Sequence, residues 1–298
     1  MCIQIRMPAV FKALSFGLAL LLLAATARAE GTPIPHGTLE LIADKQWLAS
    51  GGAIDAGLHF QLEKGWHIYW INPGDSGEPP RVDWHLPGGV TAGAMEWPTP
   101  QRFQTSSSIV DYGYVDAVLL IVPLHVDASL AGQATAQIGA DVRLLICSHE
   151  MCVAGKAQVS LTLPVKSQAA AADARNADLF AATRKSLPRP ATSNWKFSVA
   201  DAKDSFVLSV VANHKAVHKI AQAIFFPRAE SQIENAAEQK LLPQANGFRL
   251  TLRKSDQLLK PVTRLNGVLV ISGDQAYRID IDIDVPLGVP AAARRRAQ

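Results

Sequence analysis

Two cysteines, Cys147 and Cys152, stand with four residues between them at the junction of two patterned segments. The preceding segment carries an apolar run at positions 142 and 144–146, and the following one alternates apolar and polar residues over 157–163. Two strands joined by a short polar link are typical of a β-hairpin. The cysteines are then expected to face each other where the strands leave the sheet, close enough to form a disulfide if their Cβ directions converge.

Strand patterns also dominate the rest of the first half. Apolar alternation or short apolar runs occur at 39–43, 54–62, 66–70, 81–86, 90–97, 117–126 and 133–147, with a turn-forming run at 72–80. Many short strands separated by Gly- and Pro-rich turns predict an antiparallel β-sandwich. No strong helical period appears between residues 38 and 165.

Similar patterns return at 197–200, 205–212, 220–226, 247–252, 268–272 and 279–285. The fold class is therefore predicted to be all-β, a β-sandwich followed by a second, smaller β-sandwich-like domain. Asp280, Asp282 and Asp284 alternate with isoleucines and are expected to form the solvated face of an edge strand.

The predicted organisation has five parts. These are a signal peptide at 1–29, the first sandwich at 30–165, a linker at 166–192, the second domain at 193–288 and a basic tail at 289–298. The linker is Ala-rich, and residues 169–185 could form one helix that ends before Pro188 and Pro190, because proline cannot continue a helix.

The N-terminal segment has the three features of a secretory signal. Arg6 and Lys12 precede an apolar run at 13–25, which is short for a membrane span, and residues 27–29 give a small-x-small cleavage pattern. Export is predicted, with no membrane span after cleavage.

Charge and motifs exclude several classes of function. Three of the 29 basic residues lie in 1–29, so the mature chain has 26 basic against 26 acidic residues and lacks the basic footprint of nucleic-acid binding. The sequence has no Gly-x-Ser-x-Gly element of a serine hydrolase and no phosphate-binding glycine loop.

The remaining chemistry lies in the cysteine pair, and three interpretations stay open. A thiol pair does redox work when one sulfur is exposed and has thiolate character. A structural disulfide across so short a loop would stabilise the fold by about 2 kcal/mol, against more than ~4 kcal/mol for a bridge spanning most of a domain. Cys147, His149, Met151 and Cys152 together form a soft sulfur and nitrogen donor set that suits Cu(I).

Further segments resemble the N-terminal periplasmic domain of bacterial thiol:disulfide interchange reductases, the DsbD-like group that includes copper-sensitivity suppressors. The segments that carry the resemblance are Gly65-Trp66-His67-Ile68-Tyr69-Trp70, Asn72-Pro73-Gly74-Asp75-Ser76-Gly77, Glu96-Trp97-Pro98-Thr99-Pro100-Gln101-Arg102-Phe103, Tyr112-Gly113-Tyr114 and the Cys147/Cys152 segment, with Phe225-Phe226-Pro227 and Gly267-Val268-Leu269-Val270 in the second half.

The resemblance implies an immunoglobulin-like sandwich whose cysteines cycle between dithiol and disulfide without an organic cofactor. Electrons would come from a membrane-embedded thiol reductase and pass to oxidised periplasmic proteins. Cys152 would form the mixed disulfide and Cys147 would resolve it. Phe103 would cover the resting pair, with Tyr112 and Tyr114 as its neighbours, and Tyr69 and His67 match positions near the pair. His149 is a further candidate near the site, because it lies in the loop between the two cysteines.

Two departures from the family pattern affect this interpretation. Better-studied members carry acidic residues just before the covering aromatic, whereas Gln101 and Arg102 stand here. Family reductases also continue into a multi-helix membrane segment and a thioredoxin-like domain, whereas this sequence ends at Gln298, so electrons are expected from a separate protein. The predicted function is periplasmic thiol:disulfide exchange. The alternatives are a non-enzymatic Cu(I)-binding or copper-tolerance protein and a redox-inert interaction module with a structural disulfide.

Overall fold

A computed structural model describes residues 31–106, 108–212, 220–273 and 276–286. The predicted signal peptide at 1–29 and the basic tail at 289–298 lie outside these residues. The first twelve strands are β1 (Thr32–Ile34), β2 (Gly37–Ala43), β3 (Leu48–Ala49), β4 (Ala53–Leu62), β5 (His67–Gly74), β6 (Arg81–His85), β7 (Val90–Ala92), β8 (Gln101–Gln104), β9 (Val110–Val115), β10 (Ala117–Val126), β11 (Thr135–Cys147) and β12 (Cys152–Lys166). A short 3-10 helix, Ala128–Leu130, lies between β10 and β11.

These strands form two sheets. One has the order β1-β2-β4-β10-β7, and the other has the order β3-β12-β11-β5-β9-β8, with β6 also pairing with β11. The pairings are antiparallel except for the short parallel contact between β3 and β12. Alternate residues of both sheets share one hydrophobic core, which includes Phe60, Leu120, Trp70 and Ile138. The predicted sandwich is confirmed.

The predicted hairpin is the longest ladder of the fold. β11 and β12 pair over 13 residues, from Thr135 opposite Pro164 to Cys147 opposite Cys152. Every second residue of β11 from Ala136 to Leu144 is buried, because that face packs on the core while the other face is more open. The hairpin therefore carries the cysteine pair at its tip.

One α-helix, α1 (Ala177–Ser186), lies within the segment predicted as a linker. The helix is shorter than the predicted 169–185 and begins where an apolar side chain can be buried, which fits the rule that packing stabilises a short helix. Phe180 is fully buried against Ile42, Leu119 and Ile121 on the outer face of the first sheet. Arg184 forms ion pairs with Asp55 of β4 and with Asp44, directly after β2, so this segment is packed against the first sandwich.

The second half forms two four-stranded sheets. The strands are β13 (Arg189–Pro190), β14 (Trp195–Asp201), β15 (Ser205–Ala212), β16 (Ile220–Pro227), β17 (Lys240–Gln244), β18 (Gly247–Arg253), β19 (Arg264–Gly273) and β20 (Tyr277–Asp284). The sheet orders are β13-β20-β19-β16 and β14-β15-β18-β17. Residues of both sheets, among them Phe206, Leu250, Leu269 and Ile281, form a second core, so the smaller sandwich is also confirmed.

The three aspartates of β20 lie beside arginines. Arg228 pairs with Asp280, and Arg264 pairs with Asp282 and lies 4.0 Å from Asp284. β20 has only the two-residue β13 on its outer side, so most of its length is at the sheet edge.

The two sandwiches are in contact. Phe226 and Val268 of the second half belong to the first hydrophobic core, and the Phe226 ring lies edge-on to the rings of Trp70 and Tyr112 at 6.4 Å and 5.2 Å between centroids. The division into domains at residues 165 and 193 stays a prediction.

Several predicted limits differ from those of the structure. The expected strand at 90–97 ends at Ala92, and beyond it only Glu96 forms an isolated bridge, with Ile121. The predicted turn at 72–80 starts later than expected, because β5 continues to Gly74. Among the residues that the structure describes, no helix has both the length and the apolar character to cross a bilayer.

Candidate functional site

Cys147 and Cys152 form a disulfide, with the two Cα atoms 4.1 Å apart. The two residues differ sharply in solvent access. Cys147 is 1% exposed, whereas Cys152 is exposed at the hairpin tip. A molecule that approaches the tip therefore meets Cys152 first.

Ser148 shapes the turn between the cysteines. Its backbone N–H donates to the Met151 carbonyl at 2.8 Å, and its Oγ accepts from the backbone N–H groups of Glu150 and Met151 at 3.1 and 3.2 Å. These bonds replace ladder bonds where the strands end. Met151 is held at the tip with 55% of its surface exposed, beside the accessible cysteine.

Strand register brings several side chains to one face of the second sheet. His67 lies opposite both Cys147 and Val115, Tyr69 lies opposite Gly113, and Phe103 lies opposite Asp111. Directly opposed residues point to the same side of a sheet, and so do residues two apart in one strand. His67, Tyr69, Phe103 and Asp111 therefore share the face that carries the disulfide.

Tyr69 contacts the sulfur of the more exposed cysteine. Its hydroxyl lies 3.9 Å from the Cys152 Sγ, within reach of a weak hydrogen bond. Burial raises the pKa of Tyr69 to about 12, with a smaller upward contribution from Asp111, while a hydrogen bond with Ser76 lowers it. The hydroxyl is therefore protonated at neutral pH and can donate to a thiolate on Cys152.

Gly77 packs against the Tyr69 ring. A Cβ at Gly77 would lie 2.1 Å from the ring Cζ, and the backbone there has a φ of +82°, which favours glycine. The turn that follows β5 therefore packs closely against the tyrosine ring.

His67 fills the space beside Cys147. It is 8% exposed, and its ring centroid lies 5.1 Å from that of Tyr69 and 5.1 Å from that of Phe103. Its Nε2 is buried and has no hydrogen-bond partner within the described part of the chain. Burial lowers the pKa of His67, opposed by the nearby Asp111 carboxylate, so the imidazole is neutral at pH 7.

The structure adds Asp111, which the sequence analysis did not single out. This carboxylate is 1% exposed and accepts hydrogen bonds from the Ser76 N–H at 3.0 Å, the Ser76 Oγ at 2.9 Å and the Thr105 Oγ1 at 2.9 Å. The acid of this face thus comes from β9, whereas Gln101 and Arg102 stand in the positions that are acidic in better-studied family members. Arg102 instead donates to the Asn235 carbonyl at 2.9 Å.

Tyr112 and Tyr114 lie on the opposite face of β9, in the core. The Tyr112 hydroxyl donates to the Asn235 side-chain oxygen at 2.9 Å, and the Tyr114 hydroxyl donates to the Pro98 carbonyl at 2.7 Å. Burial raises the pKa of both phenols. The structure therefore does not bring these two tyrosines to the disulfide face. Phe103 does lie on that face, and its covering of the disulfide stays a prediction.

The described residues contain no group of three or more His, Cys, Asp or Glu side chains that could hold a metal. His149 is exposed on the turn and does not converge with the two bonded sulfurs. The copper alternative stays a prediction that concerns the reduced protein, in which both sulfurs are free to act as ligands.

Comparison with known proteins adds an independent finding. Residues 39–164 match the protein family described as "Thiol:disulfide interchange protein DsbD, N-terminal". The crystal structure of the N-terminal periplasmic domain of ScsB from Proteus mirabilis matches with a TM-score of 0.60 and 19% sequence identity, over 84% of this chain and 94% of that one. The resemblance stated from sequence is confirmed, and the structural match supports the same fold.

Other solved structures match far less well. FdeC, an Escherichia coli adhesin, gives a TM-score of 0.20 at 8% identity over 86% of this chain and 66% of that one. The N-terminal Ig1-2 module of the Drosophila receptor protein tyrosine phosphatase DLAR gives 0.19 at 10% identity over 84% and 99%. Such scores support no argument about this chain. No curated protein matches it.

Proposed function

Because residues 39–164 match the DsbD N-terminal family, we propose that the protein exchanges electrons with other proteins through the Cys147–Cys152 pair. The proposal goes further than the family match in naming the roles of the two cysteines, the direction of electron flow and the partners.

The observation that carries the proposal is the unequal exposure of the two bonded sulfur residues. Thiol–disulfide exchange proceeds through a mixed disulfide and depends on access to the reacting sulfur, so an accessible cysteine is suited to the first step and a protected one to the later resolving step. Cys152 is exposed and Cys147 is 1% exposed, so the pair has one residue suited to each step.

The reaction starts from the reduced pair. The Cys152 thiolate attacks a disulfide of the oxidised partner, a new sulfur–sulfur bond forms, and one partner sulfur leaves as a thiolate. Cys147 then loses its proton and attacks the Cys152 sulfur, which expels the second partner sulfur. Two electrons pass to the partner, whose thiolates take up protons, and the Cys147–Cys152 disulfide is restored.

The surrounding side chains suit these steps. The Tyr69 hydroxyl can donate to the Cys152 thiolate, which stabilises the attacking form. The buried His67 imidazole is neutral at pH 7 and lies beside Cys147, where it can accept the thiol proton. Phe103 packs against His67, and in this proposal it would limit the access of water to that side of the pair.

The proposed setting is the periplasm, after export by the predicted signal peptide. A membrane-embedded thiol reductase would reduce the pair, and oxidised periplasmic proteins would receive the electrons. The matching N-terminal domain of ScsB is periplasmic, which is consistent with that location.

The test is the reduction potential of the pair in the purified protein, from a glutathione or dithiothreitol series read by thiol alkylation and intact mass. A potential of about −180 to −270 mV is expected for an exchange protein. A potential well below about −300 mV would identify a structural disulfide and reject the proposal.

Two matched variants test the roles of the cysteines. Reduced Cys147→Ser is expected to accumulate a mixed disulfide with oxidised glutathione through Cys152, because the resolving thiol is missing. Reduced Cys152→Ser is expected to react much more slowly, since its remaining thiol is buried. Equal reaction of the two variants would contradict the assigned roles.

A further inference from the structure

We propose that the C-terminal half of the chain sets the geometry of the redox site, and that Asn235 is the positioning residue through which it acts. The inference rests on the proposed function, because the position of Tyr69 matters only if Cys152 reacts. It assigns a role to a half of the chain that carries no cysteine.

Asn235 is anchored in the second sandwich. The preceding Ile233 is buried in the second core and forms a bridge with Lys254, and the Glu234 N–H donates to the Arg253 carbonyl at 2.9 Å. Asn235 itself is 5% exposed. Its side chain therefore starts from a fixed point on the C-terminal half.

From this point Asn235 reaches across to the first sandwich. Its side-chain N–H donates to Asp75 at 2.7 Å, and its side-chain oxygen accepts from the Tyr112 hydroxyl at 2.9 Å. Its backbone carbonyl accepts from Arg102 at 2.9 Å. A bond to a carboxylate is among the stronger hydrogen bonds, so the contact with Asp75 is the main tie to the turn after β5.

Asp75 is the first residue of the turn that packs against Tyr69. Its carboxylate also accepts from the Val110 N–H at 2.8 Å, which fixes the turn to β9. The next residue, Ser76, bonds to Asp111, and Gly77 lies against the Tyr69 ring. The Tyr69 hydroxyl then lies 3.9 Å from the Cys152 sulfur.

A second contact supports the start of the same turn. The Asn72 side chain donates to the Pro227 carbonyl at 2.7 Å and accepts from the Gly74 N–H at 3.0 Å. Asn72 and Asp75, on either side of the end of β5, are thus tied to the C-terminal half by buried side-chain amides. A continuous chain of contacts leads from the second core to the attacking sulfur.

Asn235→Ala removes the tie to Asp75, and Gln239→Ala is the matched control. Gln239 is also a side-chain amide with two hydrogen bonds, to the Phe225 N–H and carbonyl at 2.7 and 2.9 Å, but both lie within the C-terminal half. Asn235→Asp is the second variant if the alanine variant folds poorly. It keeps an oxygen for Tyr112 but turns a donor toward Asp75 into an acceptor.

The first readout is the Tyr69 signal in protein labelled with ¹³C at the tyrosine ring. The chain has only four tyrosines, and Tyr69→Phe identifies the signal. Asn235→Ala should shift or broaden this signal in the oxidised protein, and Gln239→Ala should not. Because this readout needs no exchange activity, it remains informative if the proposed function fails.

The second readout is the reduction potential. In Asn235→Ala the Cys152 thiolate should lose its hydrogen bond from the Tyr69 hydroxyl. The equilibrium constant for reduction of the disulfide should then fall roughly threefold, which lowers the reduction potential by about 14 mV. In a Tyr69→Phe background, Asn235→Ala should have no further effect on the potential, because it acts through Tyr69. An unchanged Tyr69 signal in Asn235→Ala, or an undiminished effect on the potential in the Tyr69→Phe background, would overturn the inference.

Discussion

Replacing Gly77 by alanine should displace Tyr69 from its place beside Cys152. The added Cβ would lie 2.1 Å from the ring Cζ and 2.3 Å from Cε1, distances that no side-chain carbon sustains. Tyr69 is 1% exposed and is therefore packed on all sides, so the ring and the turn must move apart.

The expected cost has two parts. A left-handed φ in a residue with a Cβ costs about 1–2 kcal/mol. Forcing extra volume into a packed site adds about 1–3 kcal/mol. The free energy of unfolding of Gly77→Ala should therefore fall by roughly 2–5 kcal/mol, the sum of the two contributions.

Gly65→Ala is the control that separates these parts. Gly65 has a φ of +89°, but nothing lies within 4 Å of a Cβ placed there. Its cost should be limited to the backbone part, about 1–2 kcal/mol. Urea unfolding of the oxidised proteins measures both variants, and the difference of about 1–3 kcal/mol between them isolates the clash with Tyr69.

The reasoning is refuted if the two variants lose equal stability and the tyrosine signal of Gly77→Ala stays in place. That result would mean that the turn yields freely and does not fix the ring. A displaced ring with unchanged stability would instead contradict only the estimate of the packing cost.

Two other perturbations follow from burial in the structure. Acidification should lower the free energy of unfolding through His67. Burial lowers the pKa of this residue in the folded protein below the ordinary 6.5, although the Asp111 carboxylate acts in the opposite direction. The contribution of His67 to the free energy of unfolding is therefore complete above pH 6.5 and is lost as the pH falls below that value. Urea unfolding at pH 5 and 7.5 should show a smaller loss in His67→Phe than in the native protein, and equal losses would contradict this. Phe180→Ala should lower the free energy of unfolding by about 3–5 kcal/mol, because the ring is fully buried. The control is Leu179→Ala, because Leu179 is the neighbouring residue and is only partly buried. Similar losses in the two variants would count against the packing of α1 on the first sandwich.

The hairpin and its disulfide could be predicted from the sequence because both depend on short-range patterns. Alternation along β11 and β12 sets which side chains face the core, and the short polar link sets which residues meet at the tip. The same reasoning could not assign Tyr112 and Tyr114 to a face. Residues 110–114 are all buried, the carboxylate of Asp111 included, so both faces of this strand are covered and exposure does not distinguish them.

The rest of the site depends on contacts between distant parts of the chain. Asp111 binds Ser76, which is 35 residues away, and Asn235 binds Asp75 across 160 residues. The segment from Asn72 to Gly77 has the composition of an ordinary turn, and only its packing reveals that it supports Tyr69. Buried amides and carboxylates need partners, but the sequence does not identify which ones.

The position of the disulfide at the end of a 13-residue ladder has a consequence for how partners distinguish the two redox states. The disulfide joins side chains only, so opening the bond between Cys147 and Cys152 breaks no backbone hydrogen bond of the ladder, and we expect nearly the same backbone shape in the oxidised and reduced proteins. A partner that must dock on one form and leave the other then has little to detect except the sulfur itself and the few side chains around it. Release after electron transfer would depend on the charge and accessibility of the Cys152 sulfur, while the fold stays the same in both redox states.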